Sequence, residues 1–393
     1  MNLTVITNIL TPYRVPLFEA IGKRVDRLHV LSMAEREENR EWKLDAAPFQ
    51  HEVLPGFHFK LPGAEVSLHV NYGVMRALRR VNPDVVLSGG YAPANTAAWL
   101  YCRSHRRPFV GWGELSMQDV AKTSLLKRGL RRMMTSWSDG AIASSTDARN
   151  VFVHYGAHPA RILTSVMPID VEYFHARAMA CRTSCWYQTE RARYPGPILL
   201  SVGRFAEGKG YRELFATYKA IVTQRPGMSL LLVGDGPERS AYEAYVRSQN
   251  WKHVHFFGYR QAAEVAKFLA LADVFVFPTL LDRFGAVLSE AMAAGLPVVS
   301  SIHAAATTDL VDDGVTGFRI DPRNAEGSAE TLLRVLDMTP SERAALGRAA
   351  YERVRRHDID TTADHMVSFM RSLLKPGAQP ASGQIPVEPM KGP

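Results

Sequence analysis

Two carboxylates, Asp282 and Glu290, stand eight positions apart between two strand-like runs in the stretch 278–300. Asp282 falls in a loop ahead of Phe284 and Gly285, and Glu290 lies about one turn into the Ala-rich helix that Ala286 and Val287 open. Both side chains can then converge beside the free N–H groups and positive dipole end with which that helix begins. Such a nook suits a sugar joined to a diphosphate. The N–H groups hold anionic or hydroxyl oxygens, and the carboxylates accept hydrogen bonds from ribose or hexose hydroxyls. A buried carboxylate is costly unless paired, so Glu290 among Val287, Leu288, Ala291 and Met292 is poorly explained as scaffolding. Asp282 has a plainer alternative, capping the helix that follows.

A cationic cluster precedes this pair. Arg204 and Lys209 follow the apolar run 198–202 and sit among Gly203, Gly208 and Gly210, where a guanidinium and an ammonium can grip phosphate oxygens. Gly234 and Gly236 flank Asp235 ahead of Pro237 and serve either a tight turn or the wall beside a nucleotide base. In the first half the signals are fewer. Thr11 and Arg14 follow the first strand and open a helix, so Arg14 either holds a phosphate of the acceptor or donor or lies on the surface. Glu114 ends the run 109–111, at the strand end where ligands bind in open α/β sheets. Its alternatives are a helix cap or an ion pair with Arg106 or Arg107.

These residues need strands to carry them. Hydrophobic runs at 3–7, 29–32, 85–87, 109–111 and 140–143, and again at 198–202, 229–233, 254–257, 274–277, 297–300 and 317–320, alternate with helical periodicity. That alternation predicts an α/β fold with parallel sheets flanked by helices, as two Rossmann-like domains facing a cleft. A chain of 393 residues exceeds one ordinary core. Neither half shows Gly-x-Gly-x-x-Gly after its first strand, which removes the dinucleotide fingerprint of an oxidoreductase. The expected division is 1–175 as the first domain, 176–196 as a linker without periodicity, and 197–355 as the second domain. A final helix over 356–374 and a disordered tail rich in Pro and Gly over 375–393 complete it.

The stretch 278–300 resembles the Glu-x7-Glu signature of family 4 retaining glycosyltransferases, with Asp282 at its first acid. Residues 198–210 resemble the family's strand followed by Gly-Arg-x4-Lys-Gly, 230–237 its next strand and turn, and 317–318 its late strand entry. The resemblance spans roughly residues 1–372. It implies the GT-B architecture, with an acceptor-binding first domain, a nucleotide-sugar-binding second domain and a final helix crossing back to the first. It also implies catalytic roles for Asp282, Glu290, Arg204 and Lys209, to which the strand-end position adds Glu114. Donor contacts would come from Gly203, Arg204, Lys209, Gly234, Gly236, Phe284, Gly285, Ala286, Val287 and Glu290, and acceptor contacts from Thr11 and Arg14. The implied reaction moves a hexose from a nucleotide diphosphate sugar to an acceptor hydroxyl with retention and without a metal, in envelope, lipid-linked or exopolysaccharide synthesis. The chain departs from the family at three places. Asp282 is one methylene shorter than Glu, Ala305 to Asp309 replace Gly-Gly-x-x-Glu, and Glu114 stands where a His is usual. Two other classes remain open: a noncatalytic binder of nucleotide sugar or glycan, and an epimerase or phosphorylase on the same architecture.

Charge and composition narrow the partners. The balance of 46% hydrophobic and 22% charged residues is that of a globular protein. Residues 1–170 hold 21 Lys and Arg against 15 Asp and Glu, whereas 196–393 hold 22 against 22, so the basic excess belongs to the first half. Within it the segment from Lys122 to Ser138 reads as a helix with Leu125, Leu126, Leu130, Met133, Met134 and Trp137 on one face. Lys127, Arg128, Arg131 and Arg132 surround that face. This suits either an anionic membrane surface or ordinary packing with a solvated basic edge. No nucleic-acid motif accompanies the charge. Cys102, Cys181 and Cys185 are few and odd in number, which fits a reducing compartment better than a disulfide framework or a zinc site. No run approaches the roughly 18 apolar residues of a membrane span, and no signal-like leader opens the chain. The expected location is the cytoplasm, with peripheral contact at the cytoplasmic membrane face.

Overall fold

The computed structural model describes residues 1–36, 47–59, 68–121 and 123–375. Lys122 lies outside the described residues, as does the tail beyond Lys375 for which disorder is expected. The chain forms two compact units, one from Met1–Pro168 together with the helix Ile359–Ser372 and one from Ile169–Asp358.

In the first unit the strands are β1 (Asn2–Thr7), β2 (Arg27–Ser32), β3 (Gln50–Val53), β4 (Gly56–Phe59), β5 (Leu68–Asn71), β6 (Val85–Gly89), β7 (Phe109–Gly113), β8 (Gly140–Ala143) and β9 (Ile162–Thr164). Among the described residues seven of them form one sheet in the order β3-β2-β1-β6-β7-β8-β9, every pairing parallel. Leu3, Val5 and Ile6 of β1 and Val85, Val86 and Leu87 of β6 are all buried, because helices cover both faces of a parallel sheet. The last helix, Ile359–Ser372, belongs to this core. Its Ala363, Met366, Val367, Phe369 and Met370 pack with Phe18 and Ile21. A Cβ on Gly140 would stand 2.9 Å from the Phe369 ring, so the strand's backbone lies directly against that side chain.

The second unit holds β10 (Ile198–Val202), β11 (Ser229–Val233), β12 (Val254–Phe256), β13 (Val274–Phe277), β14 (Val298–Ser301) and β15 (Phe318–Ile320) in the order β12-β11-β10-β13-β14-β15. The chain leaves β10 towards one edge and returns on its other side at β13. The carboxyl ends of β10 and β13 therefore flank a topological switch point, the position at which open α/β sheets bind ligands. The loop carrying Arg204 and Lys209 leaves β10, and the loop carrying Asp282 leaves β13.

Four strands escape the sequence reading. β3 is a polar edge strand, β4 and β5 form an antiparallel hairpin with exposed aromatic residues, and β9 is three residues long. The segment 176–196, expected to be a linker without periodicity, is instead mostly helical: Val171–Arg182 and Cys185–Arg191, with Asp170 and Ser184 capping their first turns. In the first of these only Val171, Phe174 and Ala178 are buried, a stripe too narrow to stand out among Arg, Cys and Tyr. The change of unit correspondingly falls at 168/169 rather than 175, and the second unit runs to Asp358 rather than 355.

Candidate functional site

In the second unit the two motif loops are joined by backbone and by charge. The backbone N–H groups of Leu280 and Leu281 donate to the Gly208 carbonyl at 2.9 and 3.2 Å, and the Thr279 hydroxyl donates to the same oxygen at 3.2 Å. Gly210 lies against the Pro278 carbonyl so closely that a Cβ would sit 1.8 Å from it. This contact delivers Lys209 to Asp282. Its Nζ is 2.7 Å from Asp282 Oδ2 and also donates to the Leu281 carbonyl at 3.4 Å. Asp282 Oδ1 accepts the Phe284 N–H at 3.1 Å, closing the turn that leads to Gly285 and the helix Ala286–Ala293. Asp282 is thus not the helix cap of its plainer reading, since Gly285 is the N-cap and carries no side-chain cap bond; it braces the loop ahead of the helix and is the counterion of Lys209, an ion pair that separate readings of the two motifs did not contain.

The loop after β14 completes the brace. Its His303 carbonyl accepts the Asp282 N–H at 3.3 Å, and the Ala305 and Ala306 N–H groups bond the Asp282 and Phe284 carbonyls at 3.2 and 3.0 Å. Ala305 and Ala306 open the short helix Ala305–Leu310 and meet that loop through backbone N–H groups. His303, which also meets Asp321 at 3.1 Å, was not singled out from sequence.

Glu290 is only partly exposed and has no side-chain partner among the described residues. Burial pushes its carboxyl from 4.5 up to about 7. A buried carboxyl shifted this far, without a side-chain partner among the described residues, is a candidate for a ligand contact. Arg204 stands exposed at the end of β10, with no ion pair among the described residues. Ala286 and Val287 begin the helix, where backbone N–H groups lack helical partners.

The glycine turn has a structural account. Gly203 N–H bonds the Val233 carbonyl at 3.0 Å, and Gly234 N–H bonds the Gly258 carbonyl at 2.8 Å. With φ at 143°, Gly234 sits where a Cβ would stand 1.8 Å from the Gly203 carbonyl oxygen, and a Cβ on Gly236 would stand 2.2 Å from the Phe205 carbonyl oxygen. Gly234→Ala is expected to cost more than about 2 kcal/mol of stability, as forced backbone displacement does. Urea unfolding that matches the wild type would contradict this account.

In the first unit Arg14 and Glu114 form an ion pair, and Arg14 also donates to the Thr7 hydroxyl at 3.0 Å. Arg14 is therefore no surface residue, and the partner of Glu114 is neither Arg106 nor Arg107. Arg107 pairs with Asp84 instead. The Arg14 guanidinium lies 4.5 Å from the Trp112 ring, which sequence reading left unassigned. Trp112 and Glu114 are two apart where β7 ends, hence on one face of an extended chain, and that spacing was the available signal. Burial opposes the charge of Arg14, but Glu114 and Tyr13 together raise the guanidinium above its ordinary value. Thr11 is buried, its hydroxyl unsatisfied, and its carbonyl accepts the Arg14 and Val15 N–H groups.

The basic helix runs Leu125–Ser136 and differs in detail from the expected one. Met134 faces the core, Arg128 is tied to the carbonyls of Val120 and Ala121, and Arg131 to the Thr123 hydroxyl. Lys127 and Arg132 remain exposed without ion pairs among the described residues. Cys181 and Cys185 join no group of three or more metal-ligating side chains among those residues.

Comparison with known proteins defines the class. The family model of glycosyl transferases group 1 matches residues 188–353. The chain is 30% identical over 291 residues to a phosphatidyl-myo-inositol mannosyltransferase of Propionibacterium freudenreichii, across 71% of this chain and 70% of that one. The protein belongs to the group 1 glycosyltransferase family. Among solved structures, a glycosyltransferase from Rickettsia africae superposes with a TM-score of 0.74 at 15% identity, covering 96% of this chain and 99% of the other. Anabaena HepE in complex with UDP gives 0.73 at 19% identity, covering 95% and 100%. These likenesses establish the fold as α/β with two Rossmann-like units, the GT-B architecture.

Proposed function

We propose that the protein is a retaining glycosyltransferase that moves a hexose from a nucleotide diphosphate sugar to an acceptor hydroxyl in the synthesis of a lipid-linked or envelope glycan. The observation that carries this reading is the union of two motif loops at the switch point of the second unit, sealed by Lys209 and Asp282 at 2.7 Å. As the anomeric C–O bond breaks, negative charge grows on the leaving diphosphate. Arg204, Lys209 and the N–H groups of Ala286 and Val287 would stabilise it, so the reading invokes no metal. Phe284 and Gly285 shape the turn, while Gly203, Gly234 and Gly236 form the wall on the base side. Glu290 would accept the ribose hydroxyls. Asp282 holds Lys209 in place and offers its remaining acceptor capacity to the sugar. With retention the acceptor attacks from the face of departure, and the leaving phosphate takes its proton, so no protein nucleophile is needed.

The acceptor would meet Thr11, Arg14 and Glu114 in the first unit. There Arg14 fixes Glu114 through their ion pair, and Glu114 is left to accept from a hydroxyl. Support for a lipid-linked acceptor comes from the Propionibacterium relative, whose substrate is a phosphatidyl-inositol, and from the basic excess of residues 1–170. Among the described residues no helix is long and apolar enough to cross a membrane, so a lipid substrate would be met at a membrane surface.

The test is turnover of α-linked UDP-, GDP- and ADP-hexoses, followed by proton NMR of the released or transferred sugar. One donor should be consumed, if only by slow hydrolysis, to a product whose first-formed anomer is α. A β first product would overturn retention. Binding of a nucleotide without any consumption would support the noncatalytic alternative.

A further inference from the structure

The β4–β5 hairpin of the first unit has two unlike faces. On one, His58 and His69 meet across the strands with Nδ1 atoms 2.9 Å apart, and His69 is buried. On the other, Phe57 stands opposite Val70 and Phe59 opposite Leu68, with the Tyr72 ring 6.0 Å from Phe57. Phe57, Phe59 and Tyr72 are 63%, 52% and 60% exposed, and Leu68 and Val70 are exposed beside them. A contiguous apolar face of this kind on a soluble domain marks an interaction site.

A second such face lies nearby. On the helix Leu125–Ser136 and just past it, Leu125, Leu126, Met133 and Trp137 point outward, Leu126 at 86% exposure. The helix Pro93–His105 touches elements of both. It packs on β5, brings its Trp99 ring, tilted, to 6.1 Å from Trp137, and exposes its own Leu100. Free cations border both. Arg76 and Arg79 lie on the helix Val74–Val81 directly after the hairpin, and Lys127 and Arg132 lie on the other helix, all exposed without ion pairs among the described residues.

We propose that the hairpin face and the outer helix face together form a lipid-interface anchor that seats the first unit on an anionic membrane. Charge selects this occupant over a second copy of the chain. Pairing two copies would oppose two basic surfaces, whereas anionic headgroups complement them. The residue types agree, since aromatic rings with neighbouring arginines suit the boundary between headgroup and acyl chain. The anchor rests on the proposed lipid-linked acceptor and adds to it a surface outside the transfer site.

The experiment is cosedimentation of the full chain with vesicles of phosphatidylcholine alone and of phosphatidylcholine with phosphatidylglycerol, beside calorimetric binding of nucleoside diphosphates to the same proteins. The wild type should bind only the anionic vesicles, less as salt rises. The triple variant Phe57→Ser, Phe59→Ser, Tyr72→Ser should lose at least tenfold in partition, and Lys127→Gln or Arg132→Gln roughly fivefold each. Nucleotide affinity and melting temperature should hold. A triple variant that sediments like the wild type overturns the hairpin's part. A wild type that ignores anionic vesicles at low salt but still binds nucleotide overturns the anchor and leaves the glycosyltransferase reading standing. Dimerisation that the triple variant abolishes, without vesicle binding, would assign the face to a second copy.

Discussion

Lys209→Ala is expected to weaken nucleoside diphosphate binding at least tenfold, by more than removal of one phosphate contact alone would give. A charge-assisted hydrogen bond contributes about 1.5 to 3 kcal/mol, and the substitution also strips Asp282 of its counterion at 2.7 Å. An uncompensated carboxylate beside a diphosphate then adds repulsion. The pair thus makes a prediction that two isolated residues would not. Adding Asp282→Asn to Lys209→Ala should recover part of the lost affinity, while Asp282→Asn alone should spare binding of the free diphosphate. Arg204→Ala, with no ion pair to rearrange among the described residues, should lose about tenfold with no such rescue. Isothermal titration calorimetry on the four variants decides the matter. Unchanged dissociation constants for Lys209→Ala and Arg204→Ala would remove the diphosphate assignment.

The second large effect is one of pH. Burial raises the Glu290 carboxyl from 4.5 to about 7 in the folded protein. Between these values the folded state binds more protons than the unfolded one, so stability is greatest below about pH 4.5 and falls as pH rises through about 7. A rise of that size corresponds to about 3 kcal/mol. Glu290→Gln should flatten this part of the pH–stability curve and leave the protein more stable at pH 8. Ligand binding should run the other way. If ribose hydroxyls donate to the ionised carboxylate, donor affinity rises with pH through 7 in the wild type, and Glu290→Gln loses that rise and binds more weakly above about pH 7. Thermal melts with and without nucleotide across pH 5 to 9 separate the two trends. A Gln variant with wild-type slopes in both would make Glu290 a bystander.

The central strands and both motif loops were legible in the sequence for one reason. Strands covered on both faces write themselves as unbroken apolar runs such as Leu199–Leu200 and Val274–Phe277, and glycines mark where the chain turns from them. What was hidden is long-range or one-sided. Lys209 and Asp282 are 73 residues apart, and Arg14 and Glu114 are 100 apart. No local rule pairs them, so their ion pairs emerge only from strand order. β3 has a polar sequence because it is an edge, and the hairpin of Phe57 and Phe59 puts its apolar residues outward, inverting the pattern by which strands are recognised. Arg14 was left between a phosphate contact and the surface because its chain neighbours do not reveal the Trp112 ring on which it lies.

The place of the helix Ile359–Ser372 bears on how the molecule comes to exist. Translation delivers Met1–Pro168 first, yet the core around Phe18 and Ile21 stays incomplete until Ala363, Met366, Val367, Phe369 and Met370 have left the ribosome. All of Ile169–Asp358 is made in between, and among the described residues its core cluster runs only from Leu199 to Leu346. The second unit can therefore close while the chain is still growing, and the first waits with a greasy groove open for nearly two hundred codons. During that wait the nascent chain would lean on whatever shelters such surfaces in the cell.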